Sequence, residues 1–479
     1  MHFGRKAVSA TAYSPVKRRG RMIDVCGKDL AKNIILYTLP LMASGVLQVF
    51  FNAADAIVVG RFAENGDTAL AAVGSTGALI NLIVNLLLGL SVGTSVAVAH
   101  SFGSRDERGV SEVAHTSILT ALIGGIGVGL VGFFFSRFFL EAMSTHAEVI
   151  DQATLYMKIY FAGLPAMMIY NFASSIMRSV GDTRHPLIFL VIGGGANVAF
   201  NLFFVIVLKY DVEGVAAATV ISQTISAALS VGYLMRVDGP HRIYLGKLRI
   251  HKARLLRIMK IGIPAGLQGT VFSISNILIQ SSINWFGNAY GYVFVTGNSA
   301  ASNLEGFIYI SMNAFYHTSL TFVGQHVGAA KPERIRKIVL LILGYVTLTG
   351  VVLGTAATLF ARELLGIYIP AQPAAIEYGA ARMAVICTTY FTCGIMDCFT
   401  GFLRGMGSSM TPMLISLTGA CGFRIIWIYT VFEAVKTPTV LYLSYPVSWT
   451  ISIAAQVVAY FIIKKKVTKR INAAKPAET

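Results

Sequence analysis

Residues 178–186 read RSVGDTRHP and residues 404–412 read RGMGSSMTP, so an arginine, a glycine and a proline recur at the same three positions of the two stretches. The spacing holds outside these stretches, because Pro40 has a counterpart in Pro264 at nearly the same interval along the chain. Self-similarity at a nearly constant spacing is the sequence signature of an internal structural repeat. The sequence therefore predicts two related halves.

Long apolar stretches lie on both sides of these motifs. Hydrophobic residues make up 55% of the chain and charged residues only 13%, which is too apolar a composition for an ordinary water-soluble globule. The apolar runs are about 20 residues or longer, the length that an α-helix needs to cross a bilayer. Strand-like alternation is absent, so a helical bundle is the structure that satisfies the backbone hydrogen bonds in lipid. Twelve spans are predicted, at residues 33–60, 70–99, 112–136, 150–178, 186–208, 213–235, 257–286, 293–325, 335–360, 374–403, 411–433 and 439–463.

The number of spans determines how the two halves are arranged. Six is an even number, so both halves insert into the membrane in the same orientation. We expect an all-α polytopic membrane protein with twelve transmembrane helices in two parallel six-helix repeats, a plan that recurs among secondary transporters. The predicted parts are a basic amino-terminal segment (1–32), an amino-terminal six-helix lobe (33–235), a linker (236–256), a carboxy-terminal six-helix lobe (257–463) and a tail (464–479).

The basic residues predict the orientation of the bundle. Most of the 39 lysines and arginines lie in the termini, the linker and the loops of one face, whereas the loops of the opposite face hold only Arg61, Arg137, Lys209, Arg362 and Lys436. By the positive-inside rule, both termini and the linker are cytoplasmic. We expect the membrane to be the inner (cell) membrane of a bacterium. Orientation and contact with anionic lipid headgroups account for the net charge of +17, so nucleic acid is not a predicted partner.

The sequence lacks the motifs of nucleotide hydrolysis and of metalloproteases. No Walker A loop and no His-Glu-x-x-His pattern is present, and the five cysteines form no metal-binding or redox motif. We therefore expect no enzyme activity and no cofactor. An ion gradient is the energy source that this leaves for transport.

Asp55 is the clearest candidate for a functional charge inside the membrane. It lies late in the first span, with no basic residue within one helical turn. Burial disfavours the charged form of a carboxylate, which suits reversible binding of a proton, or of a sodium ion shared with neutral oxygen ligands. The alternative is an acid at the end of its span that reaches the headgroups or caps a neighbouring helix.

Neutral polar residues of the first half add ligand atoms to this candidate site. Asn197 and Asn201 are one helical turn apart and share a face of the fifth span. Thr219 in the sixth span, Asn171 in the fourth and Gln48 in the first contribute further hydroxyl and amide oxygens. Each alone fits a hydrogen bond between helices equally well, but together with the buried acid they predict a polar cavity.

These motifs resemble those of the multidrug and toxic compound extrusion (MATE) family. The matching pieces are LP at 39–40, DAIVVGR at 55–61, AAVG at 71–74, RSVGD at 178–182 and GVAAATVISQ at 214–223, with their repeats in the second half. The resemblance covers residues 33–463 and is closest to the family's DinF-like branch. It implies an antiporter that exports cationic or amphipathic organic compounds in exchange for protons or sodium ions, by alternating access between two lobes.

The resemblance also implies roles for single residues. Asp55 takes the position of the acid that binds the coupling ion, and Asn197 and Thr219 take the positions of its neutral ligands. Asn201 departs from the pattern, because similar members of the family carry a second acid there. One carboxylate favours a proton as the coupling ion and leaves sodium at Asp55 as the alternative. The substrate cavity is implied to be lined by Gln48, Tyr156 and Asn171.

Two charges of the second half, Asp397 and Arg424, are expected to face its interior, because they lie at or beside the repeat counterparts of polar first-half residues. An ion pair or gate between adjacent spans is the arrangement that best tolerates two such charges in a low dielectric. A second coupling site at Asp397 and a misplaced span boundary are the alternatives. Lys158 and Arg382 lie toward the outer ends of their spans, where we expect them to extend to the interface.

Two other functions fit the same frame less well. A lipid-linked oligosaccharide flippase would need several cationic residues in its cavity to meet pyrophosphate, whereas the first half shows no central arginine or lysine. A membrane-embedded enzyme would need clustered histidines, cysteines or paired acids. The predicted partners are therefore small organic cations or amphipathic drugs, and membrane lipid, with the protein acting as a monomer.

Overall fold

A computed structural model describes residues 22–62, 66–143, 145–370 and 372–474. Within these ranges the chain is almost entirely helical and contains no β-strand. The predicted all-α class is confirmed.

The first half forms seven α-helices, counted over its described residues. They are α1 (Leu30–Phe62), α2 (Gly66–Gly103), α3 (Glu107–Ala142), α4 (Ala147–Ala162), α5 (Leu164–Ser179), α6 (Arg184–Leu202) and α7 (Val212–Arg236). A π-helical segment, Phe203–Val207, extends α6. α4 and α5 form one span bent by 46°, where Gly163 ends the first helix and Pro165 lies at the start of the second.

The second half repeats this order with more interruptions. Its helices in the described chain are α8 (Lys252–Tyr290), α9 (Tyr292–Gly328), α10 (Pro332–Leu359), α11 (Ala361–Tyr368), α12 (Pro373–Gly405), α13 (Met410–Ile415), α14 (Phe423–Trp427), α15 (Glu433–Val435) and α16 (Pro438–Ala474). Two π-helical segments, Ser416–Gly422 and Ile428–Phe432, join α13 to α15 into one continuous span.

The helices are long and apolar enough to cross a membrane. In the described residues, ten helical segments have the length and the apolar composition of a membrane span. The bent pair α4 and α5, taken together, makes an eleventh span. The twelfth is α9, which is 37 residues long but less apolar because it carries buried polar side chains such as Asn298 and Glu305. The twelve-span prediction, in two parallel repeats, is confirmed.

The repeat extends to irregular details of the backbone. Of the seven residues with positive φ in the described chain, all except Gly291 form pairs that are separated by almost the same interval as the sequence motifs: Arg105 with Ala330, Gly181 with Gly407, and Lys209 with Lys436. The π-helical segments Phe203–Val207 and Ile428–Phe432 are related in the same way. A pattern of apolar helices requires neither the paired positive-φ residues nor the paired π-helical segments. Their recurrence therefore indicates that the two halves are copies of one structural unit.

The two lobes touch closely at the end of the bundle that carries the 237–251 connection, here called the linker end. There α2 packs on α8 so tightly that a Cβ atom on Gly89 would overlap the backbone of Gly266. Gly103 and Gly328 lie in the same way against the backbones of Gln325 and His100. Nearer the opposite end of α2, a Cβ on Gly77 would meet no atom of the described residues within 4 Å. The cavity between the lobes is therefore closed at the linker end.

The ends of the chain differ from the sequence-based boundaries. The predicted amino-terminal segment is described only from residue 22, and residues 22–29 pack between the lobes at the linker end. There Ile23 donates its backbone N–H to Gly181 at 3.0 Å, and Arg334 donates to the carbonyl oxygens of Cys26 and Gly27 at 3.0 and 3.1 Å. α16 continues the last span to Ala474, so most of the predicted tail is helical.

Candidate ion-coupling site and central cavity

Three helices of the first lobe bring together the four residues predicted to bind the coupling ion. Asn201 on α6 donates an amide N–H to Asp55 on α1 at 2.5 Å and is 3.3 Å from the amide oxygen of Asn197. Asn197 in turn donates to the hydroxyl of Thr219 on α7 at 3.4 Å. These four side chains form one hydrogen-bonded chain, called here the Asp55 cluster.

Local packing explains why α1 and α6 meet at this point. Gly194 on α6 has no side chain, and the ring of Phe51 on α1 fills the space where its Cβ would lie. One turn beyond Phe51 is Asp55, and two turns beyond Gly194 is Asn201, so the close approach of the two helices carries the carboxylate to the amide. Asn197 and Asn201 are buried, while Asp55 is half-buried.

Asp55 has no basic partner within 4 Å among the residues that the structure describes. The amide oxygen Oδ1 of Asn201 is also buried there without a hydrogen-bond partner. No group of three or more histidine, cysteine or acidic side chains gathers in the described chain. The Asp55 cluster thus consists of one carboxylate surrounded by neutral donors and acceptors.

The predicted cavity residues divide between two places. Gln48 and Asn171 line a central cavity of about 430 Å³ between the lobes, as does Asp397 of the second lobe. Tyr156 does not line it. Its ring stacks on Tyr160 at 6.3 Å, within electrostatic range of Asp55, so the expectation of one shared cavity is wrong for this residue.

The structure does not bring Asp397 and Arg424 together. Arg424 on α14 donates to the hydroxyl of Ser448 at 3.0 Å, and its guanidinium lies 4.4 Å from the centre of the Tyr445 ring. Asp397 on α12 instead faces the central cavity, in contact with Asn313. The π-helical segment Ser416–Gly422 precedes Arg424 and changes the rotation per residue, so Arg424 points toward α16 rather than α12. The predicted ion pair is wrong.

The buried ion pair of the second lobe is formed by two other residues. Arg382 on α12 donates to both oxygens of Glu305 on α9, at 2.8 and 2.9 Å. Their side chains are only 5% and 6% exposed, so Arg382 does not extend to the membrane interface as expected. The sequence signal was present, because Glu305 is an acid well inside the predicted span 293–325. Its partner, Arg382, lies on a helix that is far away along the chain. The spacing of residues in the sequence does not show which helices pack together.

Two arginines of the central cavity were also missed. Arg178 lies in the last turn of α5 and Arg404 in the last turn of α12, and both line the cavity. The expectation that the first half contributes no arginine to the interior is therefore wrong. The signal lay in the opening motif itself, since the two arginines are the repeated residues that precede Gly181 and Gly407.

A two-lobed bundle of twelve membrane helices, with a polar cavity between the lobes and an acid buried inside one lobe, defines a membrane transporter. The sequence profile of the MatE family matches residues 40–203 and 264–430, one match in each lobe and together well over half of the chain. The protein belongs to this family, the multidrug and toxic compound extrusion transporters.

Relatives and solved structures agree with this assignment. The chain is 26% identical over 391 residues to a probable multidrug resistance protein of Bacillus subtilis, YpnP, covering 81% of this chain and 85% of that protein. It is 25% identical to a second one, YoeA, over 92% of this chain and 96% of that protein. A structure described as the outward-facing conformation of a multidrug resistance MATE family transporter superposes with a TM-score of 0.84 at 20% identity, covering 95% and 99% of the two chains.

Proposed function

We propose that this protein is a secondary active exporter that exchanges cationic or amphipathic organic compounds for protons, which bind at Asp55. The linker end, where the two lobes pack closely, faces the cytoplasm in this proposal. The observation that carries the proposal is the Asp55 cluster, an acid without a basic partner in the described residues and hydrogen-bonded to a neutral amide.

The hydrogen bonds of the Asp55 cluster suit a residue that gains and loses a proton. In the charged state, the N–H of Asn201 donates to the carboxylate. In the neutral state, the carboxylic acid becomes a donor, and the unpartnered Oδ1 of the same amide is an acceptor within reach after a small rotation. Asn201 therefore stabilises both protonation states, where a second acid would repel the charged one.

A sodium ion fits the Asp55 cluster less well. The oxygens of the four residues would give a cation one charged ligand and three neutral ones. Of these oxygens, Oδ1 of Asp55, Oδ1 of Asn197 and Oγ1 of Thr219 already accept hydrogen bonds. Hard cations are bound by several oxygens at once. A proton needs only one oxygen of Asp55.

In the described part of the second lobe, a cation lies where the first lobe has the Asp55 cluster. Tyr445 and Ser448 are the repeat counterparts of Thr219 and Ser222, so they occupy the place that corresponds to the Asp55 cluster. The guanidinium of Arg424 lies over Tyr445 and donates to Ser448. Because a permanent cation occupies this place, we assign the coupling ion to the first lobe alone.

The central cavity is the place for the exported compound. At about 430 Å³ it falls within the size of known small-molecule sites. Leu41, Met167 and Phe272 form apolar parts of its wall, and Asp397 adds a negative charge suited to an organic cation. Exchange requires that the proton and the substrate favour different conformations of the lobes. A ligand that binds both conformations with equal affinity does not shift the equilibrium between them.

Transport in proteoliposomes tests the proposed function. We expect a proton gradient alone to drive uptake or release of ethidium, a flat organic cation, and a sodium gradient of equal size to drive none. Liposomes without protein control for leakage. Ethidium movement that needs no gradient, or that responds only to sodium, would contradict proton coupling.

A further inference from the structure

The part of the central cavity nearest the linker end, here called its floor, is lined by Arg178 and Arg404, and the cavity carries more positive than negative charge. Of the charged side chains that line it, Arg178 and Arg404 are basic and only Asp397 is acidic. The two arginines are repeat counterparts, each in the last turn of its helix, so the pseudo-symmetry of the lobes places them at the same depth. Two positive charges at the floor would repel a substrate that is only a cation.

Arg404 is held by protein groups. It donates to the hydroxyl of Tyr316 at 2.5 Å and to the side-chain oxygen of Gln268 at 2.6 Å, and its guanidinium lies 5.6 Å from the centre of the Tyr316 ring. Gln268 is fixed in turn by a hydrogen bond to Ser416 at 2.9 Å. The buried Nε of Arg404 has no partner among the described residues.

Arg178 is less engaged. Its Nε donates to the carbonyl of Ser174 at 3.2 Å, and no carboxylate of the described chain lies within 4 Å of its guanidinium. The acid nearest in sequence, Asp182, is occupied by His185 at 2.6 Å and by the hydroxyl of Tyr233 at 2.8 Å. Arg178 lines the cavity, and its terminal nitrogens make no hydrogen bond to another residue of the described chain.

Arg178 has no carboxylate within 4 Å in the described chain, whereas Arg404 lies within electrostatic range of Asp397. A charge without a close counter-ion inside a membrane protein is costly and points to a functional site. Guanidinium groups bind carboxylates and phosphates through paired N–H donors. His317 lies within electrostatic range of both arginines and stacks edge-on against Tyr316 at 4.9 Å, adding a polar group between them. Above this floor the wall includes apolar side chains such as Leu88 and Phe272.

We propose that the central cavity binds the oxyanion group, a carboxylate or a phosphate, of an amphipathic compound, with Arg178 as the main ligand and Arg404 beside it. A zwitterionic compound also satisfies Asp397 through its cationic part. This proposal refines the substrate class of the proposed exporter and rests on that function for its physiological meaning. The binding step itself does not depend on transport.

Two rhodamine dyes test the proposal, because they share one cationic ring system and differ in one group. Rhodamine 110 carries a free carboxylate, and rhodamine 123 is its methyl ester. Their dissociation constants are measured by fluorescence anisotropy with the purified protein, without any ion gradient. We expect Arg178→Gln to weaken binding of rhodamine 110 by about tenfold or more, the effect of losing a charge-assisted hydrogen bond, and to leave rhodamine 123 unchanged.

Two further variants separate charge recognition from a structural role. Arg178→Lys keeps the charge and should retain most of the preference for the carboxylate dye. Arg184→Gln removes an exposed arginine that does not line the cavity and should bind both dyes like the wild type. Equal weakening of both dyes by Arg178→Gln, or no change with either dye, would overturn the proposal.

Competition with rhodamine 110 identifies the source of the oxyanion. Phenyl phosphate represents a soluble solute and dihexanoyl phosphatidic acid a lipid headgroup. Displacement by one of them in the wild type, lost in Arg178→Gln, supports the site and names its ligand, whereas displacement that Arg178→Gln leaves unchanged contradicts it. If the dye preference is found but no gradient drives transport, the binding site stands and the proposed export fails. If a gradient drives transport but the preference for the carboxylate dye is not found, the proposed export stands and the oxyanion site fails.

Discussion

Replacing Asp55 by asparagine is expected to abolish gradient-driven export. The substitution keeps the size of the side chain but removes the only group of the Asp55 cluster that takes up a proton. Because Asp55 has no ion-pair partner in the described chain, the change leaves no opposite charge buried and unpaired, so the bundle should fold and insert as before. The measurement is ethidium transport in proteoliposomes under an imposed proton gradient, at equal amounts of inserted protein.

A matched control lies in the same lobe. Asp151 on α4 is exposed and pairs with the exposed Arg137 at 3.0 Å. Asp151→Asn should transport ethidium at the wild-type rate. If Asp55→Asn transports ethidium as fast as Asp151→Asn does, then Asp55 does not couple transport, and Asp397 becomes the acid to examine.

The second large effect concerns stability. Neutralising either Glu305 or Arg382 leaves the other charge buried without its partner, which typically costs about 3 to 5 kcal/mol. We expect the single variants Glu305→Gln and Arg382→Gln to lower the apparent melting temperature by roughly 10 °C. The double variant should recover much of this loss, because two amides can hydrogen-bond to each other. Unfolding is followed with a thiol-reactive dye, since four of the five cysteines are buried.

The chain offers a control pair of the same geometry at the surface. Arg362 donates to both oxygens of Glu377 at 2.9 and 3.0 Å, but these side chains are 71% and 61% exposed. Water screens such a pair, so Glu377→Gln should leave the melting temperature nearly unchanged. Equal losses from Glu305→Gln and Glu377→Gln, or a double variant no more stable than the singles, would show that burial of the Glu305 pair does not matter.

Much of the fold was predictable because it rests on properties that act along the chain. The length of the apolar runs gave the spans, and the repeat around Arg178 and Arg404 gave two parallel halves. The Asp55 cluster was also accessible, because Asn197 and Asn201 share a helix face by their spacing alone, and a buried acid is rare enough to be noticed.

The sequence misled where the answer depended on contacts between helices or on irregular backbone. The repeat predicts that Asp397 and Arg424 pair, because they lie at or beside the counterparts of polar first-half residues, whereas the π-helical segment before Arg424 turns it toward Ser448. Glu305 and Arg382 meet only because α9 and α12 pack side by side. Arg178 was placed at the end of a span, and only the closure of the linker end shows that it forms the floor of a cavity.

The central claim is that substrate binding and a proton on Asp55 are linked, and proton release on substrate binding tests it most directly. Purified protein in weakly buffered solution is mixed with saturating ethidium, and released protons are followed with a pH indicator across a series of starting pH values. The account predicts that the wild type releases up to about one proton per bound ethidium, the limit for a single coupled acid, and that Asp55→Asn binds ethidium without releasing any. Ethidium binding to the wild type without proton release at any pH, or equal release from Asp55→Asn, would contradict it.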